Sequence, residues 1–194
     1  MNIPVDISEV TLTTERLILR PWRQSDLDDF FEYASVEGVG EMAGWPHHEN
    51  KEITQMILDN FIEGKKTFAI VLDDKVIGSL GIEKYNEEWF PELKDKRCRA
   101  IGYVLSKDYW GKGIMTEAVK EVIRYLFEVE KLDCILCGHF LHNNRSGRVI
   151  EKCGFKHHSF QKYTTRMNTI EDTEECILTR QDWIKIKNEE RGNN

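Results

Sequence analysis

The stretch Trp110-Gly111-Lys112-Gly113-Ile114-Met115-Thr116 limits what this chain can fold into more than any other. Two glycines two apart let the backbone turn tightly and approach a ligand with no Cβ in between. Directly after them, Met115, Ala118, Val119, Val122, Ile123, Leu126 and Phe127 recur at the i, i+3, i+4, i+7 spacing of an amphipathic helix, predicted to run to about residue 131. Just before them, residues 97–105 read as a strand ending at Ser106. Strand, glycine turn and helix bring free N–H groups and the positive end of the helix dipole to one point, a geometry that suits a phosphate. A plain strand-to-helix turn carries the same local signature, so the rest of the chain must decide.

A chain of 194 residues is long enough for one domain with a full core and short for two. Its formal net charge is −7, and its basic residues are scattered, which argues against a nucleic-acid partner. No apolar run approaches the roughly 18 residues of a membrane span, and Met1-Asn2-Ile3-Pro4 lacks a signal-peptide core. The expectation is a cytoplasmic protein with no membrane partner. Five cysteines without a secretory signal read as free thiols in a reducing compartment.

In chain order, residues 1–9 read as a flexible lead-in and 10–184 as one domain, with 185–194 a flexible tail whose last six residues fray. Residues 16–22 form a first strand, and Ser25 caps a first helix with Leu27, Phe30, Phe31 and Ala34 inward. A glycine-rich loop, 36–49, follows. Asn50 then caps a second helix that ends at Gly64. Strands at 67–72 and 75–85 join at Asp73-Asp74. Residues 86–96 read as a solvated loop with Trp89 and Phe90 at its tip. After the long helix come a strand at 132–140, a short helix opened by Ser146, and an antiparallel pair at 155–164 and 173–179. The fold class is mixed α/β (α+β), with a mostly antiparallel sheet of six to seven strands flanked by helices.

Beyond the glycine turn lie Asn143-Asn144-Arg145-Ser146 and Cys153-Gly154-Phe155. Together with Thr14-Glu15-Arg16-Leu17, Ile77-Gly78, Ile101-Gly102-Tyr103, Thr116-Glu117-Ala118 and Leu178-Thr179-Arg180-Gln181-Asp182-Trp183, they follow the order of the GNAT acyl-CoA N-acyltransferases. The set resembles the branch of the ribosomal-protein N-terminal acetyltransferases, the RimJ/RimL type, over about residues 10–184. That resemblance implies a GNAT fold with acetyl-CoA as cosubstrate and an amine acceptor; the oligomeric state is left open between monomer and homodimer. It implies that the carrier's pyrophosphate rests on Trp110, Gly111, Lys112, Gly113, Ile114, Met115 and Thr116, although the family usually has Gly or Ala where Met115 stands. It implies further that the pantetheine arm lies along Tyr103, Val104 and Leu105, and that a strand N–H polarises the thioester carbonyl. Asn143 then binds the carrier's amides, Ser146 protonates the departing thiolate, and Arg148 meets an outer phosphate. Read without the resemblance, Ser146 is an ordinary N-cap, Asn143 a turn residue and Tyr103 a half-buried strand aromatic.

The general base is the open position. Many relatives carry a Glu on the strand before the glycine turn, where this chain has Arg99-Ala100; the candidates are Glu83, Glu41 and His139. An α-amine of pKa about 7.7–8.0 is roughly 10–20% neutral at pH 7, whereas a lysine amine near 10.4 is almost wholly charged. Absence of the strand Glu therefore leans toward an α-amine acceptor or toward deprotonation through water, and the resemblance to the RimJ/RimL branch implies a protein N-terminal α-amine. A small amine (polyamine, amino acid or antibiotic) and a non-catalytic acyl-CoA sensor are the alternatives. Cys134 and Cys137 lie three apart on a strand, face opposite sides and do not chelate together, so no metal is expected.

Overall fold

The computed structural model describes residues 1–192. Its strands are β1 (Leu12–Thr13), β2 (Ile18–Pro21), β3 (Thr67–Leu72), β4 (Lys75–Glu83), β5 (Cys98–Leu105), β6 (Cys134–Phe140), β7 (Lys156–Thr164) and β8 (Ile170–Thr179). The α-helices are α1 (Leu27–Ala34), α2 (Lys51–Gly64), α3 (Ile114–Glu128), α4 (Asn144–Lys152) and α5 (Arg180–Gly192). All eight strands join one sheet in the order β1-β2-β3-β4-β5-β6-β8-β7. That is one strand more than expected. The addition, β1, is two residues long, too short to carry a readable alternation, and exists because it pairs with β2.

Every pairing is antiparallel except β5 with β6, whose parallel crossover is the amphipathic helix α3. This pair is short. It runs from Cys98↔Cys134 to Ala100↔Leu136, and beyond that point the strands part. Residues 101–105 stay paired with β4 on one side and have no strand partner on the other. The sheet therefore contains an internal opening, just where the sequence places the strand that leads into the glycine turn.

Two apolar layers hold the opening in place. Ala118, Val119, Val122, Ile123, Leu126 and Phe127 of α3 are buried against Ile101, Leu105 and Ile135 on one face. Phe30, Tyr33, Ala34 and Leu58 of α1 and α2 cover Ala69, Val71 and Val76 on the other. A third cluster forms where a solvated loop was expected. Residues 87–93 make two short 3-10 turns that bury Phe90 and Leu93 against Tyr85, Cys98 and Leu136. The charged residues of 86–96 had hidden this apolar pair.

The chain's beginning is also tied down, in place of the flexible lead-in. Asn2 bridges to Cys98, and Ile3 and Ile7 are 5% and 1% exposed. At the other end, in place of a flexible tail, α5 runs from Arg180 to Gly192; of the six residues expected to fray, Asn193 and Asn194 lie outside the described residues. As the sequence suggests, Asn50 caps α2, its side chain accepting from the Ile53 N–H at 3.0 Å. The left-handed residue that ends α2 is Lys65, one beyond Gly64. Ser25 lies in a 3-10 turn ahead of α1, and Asp26 takes the cap position.

Candidate active site

Both glycines of the turn are left-handed, Gly111 at φ +76° and Gly113 at φ +75°. Gly113 occupies the N-cap of α3 and brings no side chain to the first-turn N–H groups. Those groups and the helix dipole remain available to an anion. Met115, where the family pattern has a small residue, is 6% exposed and packs into the core. Its side chain turns away from the loop, so backbone donation is preserved.

Residues far from the turn brace it. Glu117 accepts hydrogen bonds from the Thr14 hydroxyl at 2.6 Å and the Arg16 N–H at 3.0 Å, and pairs with the Arg16 guanidinium at 2.7 Å. Arg16 Nη1 donates in turn to the Lys112 carbonyl at 3.1 Å. Burial pushes the Glu117 carboxyl up, but these donors outweigh it and leave it below the usual carboxylate range. Trp110 donates from its indole to the Leu105 carbonyl at 2.8 Å and stacks under Arg145, whose guanidinium lies 4.5 Å from the ring centre.

At the opening, the Tyr103 and Ser146 hydroxyls lie 2.9 Å apart. Burial pushes the Tyr103 phenol well above its ordinary value, so it stays protonated. The cap assignment is reversed from the sequence reading. Asn143 is the N-cap of α4 and accepts from the Ser146 N–H at 3.2 Å, which leaves the Ser146 hydroxyl free to meet Tyr103. The Asn143 amide also donates to the Met42 carbonyl at 3.2 Å and so fixes the loop between α1 and α2.

One cavity of about 980 Å³ runs through the opening. It gathers nearly all the expected site residues: Tyr103, Val104, Leu105, Trp110, Gly111, Gly113, Ile114, Met115, Thr116, Asn143, Ser146, Arg148 and Glu83. Lys112 is outside the lining, its ammonium 5.4 Å from the Tyr109 ring centre. The loop residues Met42 and Ala43, with Tyr85, Trp89, Phe90, Phe140 and Tyr163, line it too.

The base candidates fare unequally. Glu83 lines the cavity but forms an ion pair with Lys66. Glu41 lies outside the lining and is bound by the Gly38 N–H at 2.7 Å and the His47 ring at 2.8 Å. His139 sits over Gly147 of α4, between the Phe140 carbonyl at 2.9 Å and Glu174 at 3.3 Å. A residue that the sequence did not single out, Glu175 of β8, also lines the cavity; burial pushes its carboxyl up. All five cysteines are free and buried, and among the described residues no cluster of three or more His, Cys, Asp and Glu could hold a metal.

Known proteins share both the sequence pattern and the fold of this chain. The family model for an acetyltransferase (GNAT) domain fits residues 16–156, well over half the chain. The chain belongs to the GNAT family of N-acetyltransferases. The probable N-acetyltransferase YjcK of Bacillus subtilis is 33% identical over 174 residues, 84% of each chain. The [ribosomal protein uS5]-alanine N-acetyltransferase of Escherichia coli is 31% identical over 84 residues, 43% of each chain. A crystal structure of a GNAT acetyltransferase from Bacillus anthracis superposes with a TM-score of 0.77 at 24% identity, covering 89% of this chain and 99% of that one, a likeness of fold. Acetyl-CoA is the family's cosubstrate. Among the described residues no helix is long and apolar enough to cross a membrane.

Proposed function

We propose that this GNAT enzyme transfers the acetyl group of acetyl-CoA to a primary amine, with a protein N-terminal α-amine as the leading acceptor. One observation carries the reading: a single cavity runs along the glycine turn and the free edge of β5 and is lined as well by the aromatics Tyr85, Trp89, Phe90, Phe140 and Tyr163. The diphosphate rests on the N–H groups from Gly111 to Thr116, with Arg148 near an outer phosphate. The pantetheine arm pairs with residues 103–105 as an added strand would. A β5 N–H supports the developing oxyanion, and the Tyr103–Ser146 hydroxyl pair delivers a proton to the leaving thiolate.

The partial match to the uS5-alanine enzyme supports a protein α-amine, which needs little help to lose its proton. A small amine is the second reading. The Arg166 N–H donates to the Gly44 carbonyl at 2.8 Å and joins the β7–β8 turn to the α1–α2 loop, whose neighbours Ala43 and Thr164 line the cavity, a contact that suits a small guest. Thiol release from acetyl-CoA, measured against N-terminal peptides, lysine peptides, polyamines, amino acids and aminoglycosides, tests both. Release with the N-terminal peptides upholds the leading acceptor, and release with one small-amine class alone replaces it. Silence with every acceptor contradicts the transferase reading and leaves acyl-CoA sensing in its place.

A further inference from the structure

Two of the residues that line the cavity where β5 and β6 part are glycines, Gly102 and Gly138. Gly102 of β5 points a missing Cβ into open space, and Gly138 of β6 lies beyond the point where β6 leaves β5. Glu175 pairs with Gly138 in the β6–β8 register. Its carboxylate lies directly over that glycine: a Cβ built on Gly138 would fall 2.6 Å from Oε1 and 2.7 Å from Oε2. The carboxylate thus covers the β6 wall of the opening, in the position a side chain at 138 would fill. The Thr173 hydroxyl donates to Oε1 at 3.0 Å, and no ion pair to Glu175 is formed among the described residues.

Glu83 points elsewhere. Its Oε1 would lie 2.7 Å from a Cβ on Gly81, and its other oxygen is taken by Lys66, so it leans over β4 toward β3 and away from the opening. Of the two carboxylates in the cavity, Glu175 is the one without a cation on it.

We propose that Glu175 is the general base that takes the proton from the acceptor amine, its carboxylate brought to the opening by the absence of a side chain at Gly138. The assignment rests on the transferase reading above and fills the role that reading leaves vacant. The acceptor arrives as an ammonium, and one proton passes to a Glu175 oxygen. The freed lone pair forms the C–N bond to the thioester carbon, and the C–S bond breaks with its electron pair on sulfur. The thiolate takes a proton from the Ser146 hydroxyl. The second amine proton, lost as the tetrahedral intermediate collapses, restores that hydroxyl through water, and Glu175 returns its own proton to solvent.

A base must be ionised, and a buried carboxyl ionises at higher pH than a free one. Burial raises the Glu175 carboxyl; the Thr173 hydroxyl and the charges of His139 on β6 and His158 on β7 pull it back only in part. The titratable groups beside it on β6 and β8 include the Cys137 and Cys176 thiols, both held neutral by burial, and Glu174, which engages His139 and His157; Tyr85, Tyr103, Tyr163, Arg145, Arg148 and Lys152 line the same cavity. Lys84, Lys162 and Glu83 line the wider cavity, with Lys162 paired to Asp172.

The test is the pH profile of kcat/KM for the full chain with acetyl-CoA and its best amine, comparing Glu175→Gln, Glu83→Gln and Gly138→Ala. The expected result is a loss of about 10²-fold or more in Glu175→Gln, with the acid limb of the profile gone and acetyl-CoA affinity kept. Gly138→Ala, which displaces the carboxylate, should lose rate in the same direction while still binding acetyl-CoA. An acid limb that survives in Glu175→Gln, or disappears in Glu83→Gln instead, overturns the assignment. A wild-type chain inactive with every amine overturns the transferase reading and the base with it, so the two failures are told apart by the wild-type control.

Discussion

Arg16 grips Glu117 across 101 positions of chain, with Nε and Nη2 each 2.7 Å from Oε2, and uses its remaining nitrogen to hold the Lys112 carbonyl. The sequence Thr14-Glu15-Arg16-Leu17 thereby acquires a physical purpose. It ties the first edge of the sheet to the loop proposed to hold the diphosphate, while Glu117 fixes the first turn of α3 from below. Preorganising N–H donors lowers the ordering cost of binding. Arg16→Ala should therefore weaken acetyl-CoA binding about tenfold, the scale of one or two charge-assisted hydrogen bonds. Titration calorimetry checks this, and an unchanged Kd contradicts the bracing role.

Gly113 needs its left-handed backbone, which costs any residue with a Cβ about 1–2 kcal/mol. Space is not the obstacle, since the nearest atom to a Cβ there is Arg16 Nη2 at 3.7 Å. Gly113→Ala should lower the melting temperature by about 2–8 °C at this chain length. It should also remove most of the stabilisation that acetyl-CoA confers. A variant that melts lower yet is stabilised as strongly as the wild type would separate the glycine from the ligand site.

The Tyr103 and Ser146 hydroxyls share one hydrogen bond at 2.9 Å, so their roles are coupled. Ser146→Ala and Tyr103→Phe should each lower turnover with little change in acetyl-CoA affinity. The double variant should be little worse than the more damaging single one, because residues acting as a unit are not additive. Multiplying effects in single-turnover kinetics would show two independent contributions.

Glu175 is held in a site that disfavours its charge, and this has a stability signature distinct from activity. Its folded carboxyl lies above the ordinary value near 4.3. Its contribution to stability is therefore complete below the unfolded value and is lost as pH rises through the folded one. Glutamine carries no charge at any pH. Glu175→Gln should thus melt at higher temperature than wild type at pH 8, with the gap closing toward pH 4. A variant less stable at pH 8 would show that the ionised carboxylate is a structural partner.

What could be read in advance followed the strength of the local signal. The helix α3 was legible because seven apolar residues repeat at helical spacing, and the strand before it because it ends at the glycine turn. The GNAT resemblance was carried by motifs that are backbone devices, in which glycine, asparagine and serine have few other uses. Local patterns do not encode pairing. The strand β1 exists only through its partner β2. Residues 86–96 look polar because the pattern of Phe90 and Leu93 is broken by charge, yet those two seal a cluster. Asn143 and Ser146 are both good caps in sequence, and only geometry shows that Asn143 takes the position. Glu175 lies within the strand expected at 173–179, where nothing local sets it apart from Glu174. Its meaning comes from a register that sets it opposite Gly138, a residue 37 positions earlier.

The account rests on one placement: acetyl-CoA in the opening between β5 and β6, with its diphosphate on the glycine turn. Amide hydrogen exchange with and without acetyl-CoA measures this directly, because N–H groups that gain a hydrogen-bonded partner exchange more slowly. The account predicts new protection at residues 101–105 and 111–116, with β1, β2 and β7 unchanged. No change at these two segments under saturating acetyl-CoA, or protection confined to another part of the chain, would contradict it.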